Sequence, residues 1–313
     1  QIEKQQTQIE LMKLIGELFF YLSEDEKINK ASFILKLLEN SFKSNNEEMI
    51  ANAVMMFCTY ISYTDDSVIQ SLAKPFVKVL NYSCNAIIKG SSQVQNLFRG
   101  ISTALQATLL PIDATEFLPI FLQLYNSDNA DLEDIYCIFL IMEQLIQCHP
   151  STLIESVPDV INLFRTGMVH LAKNNEIDNL TYVGLVFSYA TQYLRTPDFF
   201  PILWNSLTFD SLEEQLTSLC MISNSVECFS SYYVDNLQFV FSSLADFLQN
   251  TNQTVVAFAL QSLSDIAPYV QHAPQNVLEA FINIFYVLLK CGDLQVQKIA
   301  LGGIQKITKS NKI

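Results

Sequence analysis

The side chains that most often carry catalysis are few and scattered in this chain of 313 residues. It has three histidines, and none falls in an H-E-x-x-H pattern or near cysteines at zinc-binding spacing. Cys148 and His149 are adjacent and could be read as a nucleophile and its base. Neighbouring side chains at a helix end point in different directions, so a turn before Pro150 is the stronger interpretation. The three histidines are His149, His170 and His272.

Phosphate-binding and acid–base patterns are also missing from the sequence. Neither G-x-x-x-x-G-K-[ST] nor G-x-G-x-x-G occurs. Gly302 and Gly303 lie within an amphipathic helical pattern, where close packing is a better explanation than phosphate binding. Carboxylates are so numerous that no pair stands out as an acid and a base. We therefore predict no catalytic, cofactor-binding or metal-binding residues and no enzymatic activity.

The cysteines and the hydropathy pattern bear on the compartment. There are seven cysteines, an odd number, and they lie singly without a C-x-x-C pair. This pattern is typical of small core residues in a protein of the reducing cytosol or nucleus. No secretory leader follows Gln1, and the apolar stretch 281–289 is well short of the roughly 20 residues that span a bilayer. We expect a protein of the cytoplasm, the nucleus or both, without membrane insertion. The cysteines are Cys58, Cys84, Cys137, Cys148, Cys220, Cys228 and Cys291.

Negative charge is concentrated in the middle of the chain. The formal net charge is −14, which argues against direct binding of nucleic acid. Residues 101–220 hold 15 acidic and 3 basic side chains, whereas residues 1–100 hold 11 and 10. Two interpretations remain open. The acids either solvate turns and helix N-termini, or they form a curved acidic surface that receives a basic partner.

The elements that must position these residues are helices. Eight glycines are few for a chain of this length, which disfavours folds that need many turns with positive φ. Residues 254–266 match residues 295–307 at an offset of 41, with apolar residues at helical spacing of three and four. Asn252 and Asp293 precede the two segments at the positions expected of helix N-caps.

The same pattern extends along the whole chain. Central apolar anchors follow one another at gaps of 39, 44, 41, 47, 33, 41 and 41 residues. A mean period of about 41 is typical of two-helix solenoid repeats. The anchors are Ile15, Val54, Phe98, Phe139, Val186, Leu219, Leu260 and Leu301.

Proline recurs with the repeat. Four prolines in apolar segments are separated by 44, 39 and 43 residues, and each precedes an anchor by a distance that places it in the other helix of a pair. A proline inside a helix bends it, so we predict kinked first helices. The four are Pro75, Pro119, Pro158 and Pro201.

With these features the chain resembles the HEAT repeat family, whose first helices are often kinked by proline. Residues 293–304 also resemble the second helix of that family, although Gln297 stands where the family usually has arginine. The resemblance implies an all-α solenoid of about seven to eight antiparallel helix pairs. We expect one continuous array over residues 1–313, and a piece of a longer one, because neither end shows the polar face of a terminal repeat.

The acidity, the cysteines and the uneven repeat lengths resemble the karyopherin-β superfamily of importins and exportins. In that family the second helices line the concave face and hold cargo or the small GTPase Ran. The resemblance implies a non-enzymatic nuclear transport receptor that binds a basic protein surface or peptide, with Ran as a candidate partner. The predicted partner-binding residues are Asp131, Glu133, Asp134, Glu143, Asp178, Glu213 and Glu214.

Two other functions fit the same architecture. One is a structural scaffold of a multiprotein complex, such as a phosphatase scaffold, a vesicle-coat subunit or a chromosome-organising subunit. The other is the helical scaffold region of a large kinase, with catalysis elsewhere on the protein. Neither the cargo nor the direction of transport follows from the sequence.

Overall fold

The computed structural model describes residues 2–44, 46–64, 66–90, 117–127, 130–272 and 274–310. These residues form fourteen α-helices joined by turns and short 3-10 segments, and none of them lies in a β-strand. The predicted all-α class is thereby confirmed. The chain divides into two compact units, Gln1–Ser156 and Val157–Ile313.

The first unit contains six of the described helices. They are α1 (Ile2–Leu18), α2 (Glu24–Phe42), α3 (Glu47–Ser62), α4 (Asp66–Ile88), α5 (Leu118–Tyr125) and α6 (Leu132–Cys148). The second unit contains the other eight. They are α7 (Val157–Lys173), α8 (Ile177–Tyr193), α9 (Phe199–Ser206), α10 (Leu212–Asp235), α11 (Leu237–Phe247), α12 (Gln253–Ile266), α13 (Gln275–Leu288) and α14 (Leu294–Ser310).

Within each unit the helices pack in pairs, and the pairs stack on their neighbours. In the second unit α7 packs on α8, α11 on α12 and α13 on α14. The second helices of the pairs form a row in which α10 contacts both α8 and α12, and α12 also contacts α14. In the first unit α3 packs on α1 and α2. Stacked pairs that contact their neighbours are the architecture of a helical solenoid.

The repeat period is visible in hydrogen bonds between helices. Six side-chain hydrogen bonds among the described residues join positions 40 to 43 apart. In the first unit Asn46 Nδ2 donates to Gln5 Oε1 at 3.4 Å. In the second, Ser262 Oγ donates to the carbonyl oxygen of Leu219 at 3.0 Å. Equivalent positions of successive repeats therefore face each other, as the predicted period of about 41 requires.

The anchor positions differ in burial. Leu301 is 48% exposed, while the neighbouring Ala300 is fully buried. Leu260 is enclosed because α12 contacts α10, α11 and α14. Ile15 is half-buried, and Phe98 lies outside the described residues. The fully buried anchors are Val54, Phe139, Val186, Leu219 and Leu260.

The helix starts of the echoing segments are capped as predicted. Asn252 Oδ1 accepts from the backbone N–H groups of Thr254 at 2.9 Å and Val255 at 3.3 Å. Asp293 Oδ1 accepts from the N–H groups two and three residues on, at 2.8 and 2.9 Å. These bonds satisfy first-turn donors that have no partner within the helix.

The proline prediction is only partly correct. All four prolines lie in helices; Pro75 is inside α4, and the other three lie in the helices directly before those of Phe139, Val186 and Leu219. The other three stand in the first turn, at the second residue of α5, the second of α7 and the third of α9, so they do not kink those helices. First-turn N–H groups have no intrahelical acceptor, and proline there loses no hydrogen bond. The three corrected positions are Pro119, Pro158 and Pro201.

Replacing Pro75 and Pro119 by alanine separates these two situations. In Pro75→Ala the new amide lies inside α4 and can bond to the carbonyl four residues earlier, so it should be protected from hydrogen exchange. In Pro119→Ala the new amide lies in a first turn and should exchange rapidly, with the fold unchanged. Residue-resolved hydrogen exchange measures both. Equal protection of the two amides would contradict these helix positions.

The kink in α10 occurs without proline. Phe229 has φ −118° and ψ 26°, outside the helical region, within a helix of 24 residues. Its ring lies 5.3 Å from that of Phe199 and 5.7 Å from that of Phe200, measured between centroids. The Ser225 and Tyr233 side-chain oxygens, 2.7 Å apart, are hydrogen-bonded across the kink. The bend therefore coincides with a cluster of aromatic side chains.

This aromatic cluster belongs to the core of the second unit. Phe199 and Tyr233 are fully buried, and Phe200 is nearly so. Tyr232 lies at the edge of the cluster, with its ring stacked on Phe200 at 4.8 Å. The cluster also ties the short helix α9 to α10.

The cysteines are free thiols. Cys58, Cys84, Cys137 and Cys220 are buried, as expected of small core residues. Burial raises the pKa of the Cys58 thiol to about 12, which keeps it protonated and unreactive at neutral pH.

Candidate functional site

A groove of about 700 Å³ crosses the second unit along helices α8, α10, α12 and α14. These are the second helices of four successive pairs. The lining combines apolar side chains with carboxylates, amides and hydroxyls, and such a mixture suits protein or peptide ligands better than a reaction centre. The lining residues are Asp178, Thr181, Tyr182, Leu185, Cys220, Ser223, Asn224, Ala257, Phe258, Gln261, Asp265, Gln295 and Ile299.

A glycine lets α8 and α10 approach closely at the base of the groove. A Cβ on Gly184 would lie 2.6 Å from both Asn224 Nδ2 and Cys220 Sγ. Asn224 Nδ2 instead donates to the carbonyl oxygen of Cys220 at 2.9 Å, which holds the amide against its own helix. Burial raises the pKa of the Cys220 thiol to about 12, so this thiol is no nucleophile despite its position in the groove.

Asp265 joins three successive second helices at one carboxylate. Lys306 Nζ of α14 lies 2.8 Å from its Oδ1, and Ser223 of α10 donates to its Oδ2. Gln261 Nε2, one turn earlier on α12, donates to Oδ1 at 2.9 Å and to Oδ2 at 3.0 Å. The four acceptor positions of the carboxylate are thus filled from α10, α12 and α14.

The prediction of site residues missed Asp265, although the repeat contains a signal for it. The offset of 41 residues that aligns the two echoing segments also places Asp265 at the position equivalent to Lys306. One repeat further back, the equivalent position is Asn224. Because equivalent positions of stacked repeats face each other, an acid and a base at this spacing predict an ion pair.

Glu227 and Asp265 are both close enough to Tyr269 to affect its titration. Burial raises the pKa of the Tyr269 hydroxyl, and the nearby charges of Glu227 and Asp265 raise it further. Glu227 is exposed on α10, four residues after Ser223. The lining of the groove thus includes two carboxylates, Asp178 on α8 and Asp265 on α12, and Lys306 is paired with the second of them.

Four of the seven predicted site residues belong to α6 or its start in the first unit. Asp131 and Asp134 form a reciprocal capping box: Asp131 Oδ1 accepts from the Asp134 N–H at 2.9 Å, and Asp134 Oδ2 accepts from the Asp131 N–H at 3.1 Å. Asp134 is fully buried, and Glu133 beside it is exposed in the first turn. Glu143 lies in mid-helix, where its Oε1 accepts from Gln147 at 3.3 Å.

The other three lie in the second unit, each in the first turn of a second helix. Asp178 is exposed and lines the groove. Hydrogen bonds from its own backbone N–H and from Ser211 hold the pKa of Glu213 below its usual value, and the charge of Lys173 lowers it further. Glu214 Oε1 lies 3.4 Å from Arg165 Nη2 in a half-buried ion pair. First-turn acids suit the helix dipole, so these positions have a structural explanation as well.

The first unit has a smaller groove of about 370 Å³ between α1 and α3. Its wall carries exposed apolar side chains, including Phe20 at 67% and Met55 at 43% exposure. Lys13 and Glu17 give it one charge of each sign, so it lacks the acidic character of the groove in the second unit.

The features first considered for catalysis are structural where they can be seen. Cys148 is the last residue of α6 and His149 its C-cap, as the interpretation of a helix-end turn predicts. A Cβ on Gly303 would lie 2.6 Å from Phe285 Cζ on α13, so the close packing of α14 on α13, the other helix of its pair, explains this glycine. Among the described residues, no three or more histidine, cysteine or acidic side chains cluster as a metal site would require. No described helix combines the length and apolar character of a membrane span.

By sequence, no protein-family model and no curated protein matches the chain. By structure, it superposes on crystal structures of Kap121p. A mutant of Kap121p with three acidic residues replaced by lysine gives a TM-score of 0.69 at 12% identity, over 97% of this chain and 36% of that one. Kap121p bound to RanGTP gives 0.68 at 13% identity, over 100% of this chain and 38% of that one. The fold is that of a karyopherin-like HEAT solenoid.

The likeness covers nearly all of this chain but little more than a third of the Kap121p chains. At 12 to 13% identity it concerns the fold, and the resemblance to karyopherins suggested by the repeats is confirmed at that level. The second helices α8, α10, α12 and α14 of the karyopherin-like solenoid therefore carry the groove described above.

Proposed function

We propose that the chain is a non-enzymatic part of a nuclear transport receptor, working in the cytoplasm and the nucleus. It binds a basic protein surface or basic peptide in the groove of the second unit, and Ran is a candidate partner. The observation that carries the proposal is the groove itself, which four stacked second helices line and which includes the carboxylates of Asp178 and Asp265. The karyopherin-like fold supports it, since Kap121p has been crystallised bound to RanGTP.

Charge gives the groove its preference for basic ligands. Carboxylates along a concave surface with apolar walls reinforce one another's potential, and the low-dielectric walls focus it. Leu185, Phe258 and Ile299 supply such walls. The groove also offers apolar contact for the aliphatic stems of lysine and arginine side chains.

Of the seven acids named from the sequence, Asp178 comes first in the proposal, whereas Asp134 is fully buried and is left out of it. Asp178 is exposed and lines the groove. Glu213 lies near Lys173, and Glu214 is paired with Arg165, so a partner would meet these two acids partly neutralised.

Charge reversal at Asp178 tests the proposal. Asp178→Lys should weaken the binding of a fluorescent oligo-lysine peptide about tenfold at low salt, which corresponds to about 1.4 kcal/mol. Wild-type binding should weaken steeply with added salt, because the Debye length falls from about 10 Å at 0.1 M to about 3 Å at 1 M. Fluorescence anisotropy measures both effects.

The matched control is Glu279→Lys. Glu279 is exposed on α13, outside the groove, and its reversal changes the net charge by the same amount. Its effect on affinity should be small. Absence of peptide binding at low salt, or equal effects of the two reversals, would overturn the proposal and leave the structural-scaffold function in its place.

A further inference from the structure

The ammonium group of Lys306 occupies the position beside Asp265 where a ligand cation would be expected. It lies 2.8 Å from Asp265 Oδ1, in a pair whose side chains are 40% and 24% exposed. Lysine reaches this position from α14 on a flexible stem. The chain itself thus shows that Asp265 can bind the ammonium group of a lysine.

The other partners of Asp265 are less easily exchanged. Ser223 donates to Oδ2, and Gln261 Nε2 donates to both oxygens. Both side chains are fixed on helices that line the groove. Lys306 reaches Asp265 on a long stem from the neighbouring repeat, whereas Gln261 lies one turn away on the same helix, so the Lys306 contact can be replaced while the other bonds remain in place.

We propose that Lys306 is an internal competitor for a lysine-binding position at Asp265. A lysine of the partner displaces Lys306 and takes over its contact with Oδ1, while Ser223 and Gln261 continue to orient the carboxylate. This inference rests on the proposed function of the groove, and goes beyond it by naming the ligand side chain and the group that it must displace.

The geometry favours an ammonium over a guanidinium at this position. Displacing Lys306 vacates one acceptor position on Oδ1, because the other three stay occupied by Ser223 and Gln261. An ammonium is a compact donor that needs one such position. The guanidinium of arginine binds carboxylates best through two parallel hydrogen bonds, and Oδ2 is not open for the second.

Removal of the competitor should strengthen binding. Lys306→Met keeps the length and apolar stem of the side chain but cannot occupy Asp265. It should raise the affinity for oligo-lysine about two- to fivefold, the upper value corresponding to an ion pair of about 1 kcal/mol. Lys309→Met removes the same charge from an exposed position on α14 three residues later, and should give a smaller gain from the net charge alone.

A second comparison isolates the role of Asp265. In an Asp265→Asn background, Lys306→Met should give no gain beyond that of Lys309→Met, because there is no carboxylate to free. Circular dichroism checks that each full-length variant is folded, and Lys306→Gln serves as the second variant where methionine disturbs the fold. Oligo-arginine of the same length should gain less from Lys306→Met than oligo-lysine does.

The outcomes separate this inference from the proposed function. If the wild type binds oligo-lysine but Lys306→Met behaves like Lys309→Met, the competitor role is wrong and the groove remains a basic-peptide site. A gain that persists in the Asp265→Asn background, or one that is equal for oligo-arginine, also overturns the assignment of a lysine position at Asp265. If neither the wild type nor Lys306→Met binds, the proposed function and this inference fail together.

Discussion

Phe199→Ala should lower the free energy of unfolding by about 3 to 5 kcal/mol, as expected for the loss of a fully buried phenylalanine. The side chain is completely buried, with ring centroids 5.3 Å from Phe229 on α10 and 6.3 Å from Phe187 on α8. Truncation would leave a cavity between two successive pairs. Since α9 has only eight residues, it has few other contacts to compensate.

Urea unfolding followed by circular dichroism measures this loss, and fluorescence reports on the second unit through Trp204, the single tryptophan of the chain. Phe239→Ala is the matched control, because Phe239 is 62% exposed on α11. It should change the unfolding free energy by no more than about 1 kcal/mol. Similar losses for the two variants would contradict the central position of Phe199 in the aromatic cluster.

Gly303→Ala and the neighbouring Gly302→Ala should have opposite signs. A Cβ at Gly303 would lie 2.6 Å from Phe285 Cζ, and Phe285 is fully buried, so its ring has little room to move aside. Overpacking of this kind typically costs about 1 to 3 kcal/mol. A Cβ at Gly302 meets no heavy atom within 4 Å, and alanine is favoured over glycine in a helix by up to about 1 kcal/mol.

The two glycine variants differ only in which side of α14 carries the added methyl group, so each is the control of the other. Thermal unfolding monitored by circular dichroism should place Gly303→Ala below the wild type and Gly302→Ala at or above it. Destabilisation of the same size in both would mean that the helix itself, not its packing on α13, requires glycine.

The helices and their period could be predicted from the sequence because both depend on local patterns. Apolar residues three and four apart define the buried face of each helix, and the caps at Asn252 and Asp293 depend on neighbours two and three residues away. The prolines show the limit of this reasoning. Their spacing placed them in the correct helices, but whether a proline is inside a helix or in its first turn depends on where that helix begins.

The candidate groove was harder to foresee because it collects residues from four repeats. Acids were sought where they are dense along the chain, yet most of those in residues 101–220 lie at helix starts, as Asp134 and Glu214 do. Asp265 lies outside that region and depends on contacts one repeat away. Counting acids along the sequence misses such a site, because a solenoid brings together residues that are about 41 positions apart.

The Asp265 carboxylate, which binds side chains of α10, α12 and α14, also affects how firmly these helices are held together. The Asp265 carboxylate links the three helices, and its contact with Lys306 can be broken without unfolding any of them. Below that connection α14 stays fastened by the contact of Gly303 with Phe285 on α13. The apolar packing of α14 on α12 and on Ala267–His272 does not involve Lys306. A ligand that takes the place of Lys306 would therefore remove one polar link between two repeats and leave their packed core intact.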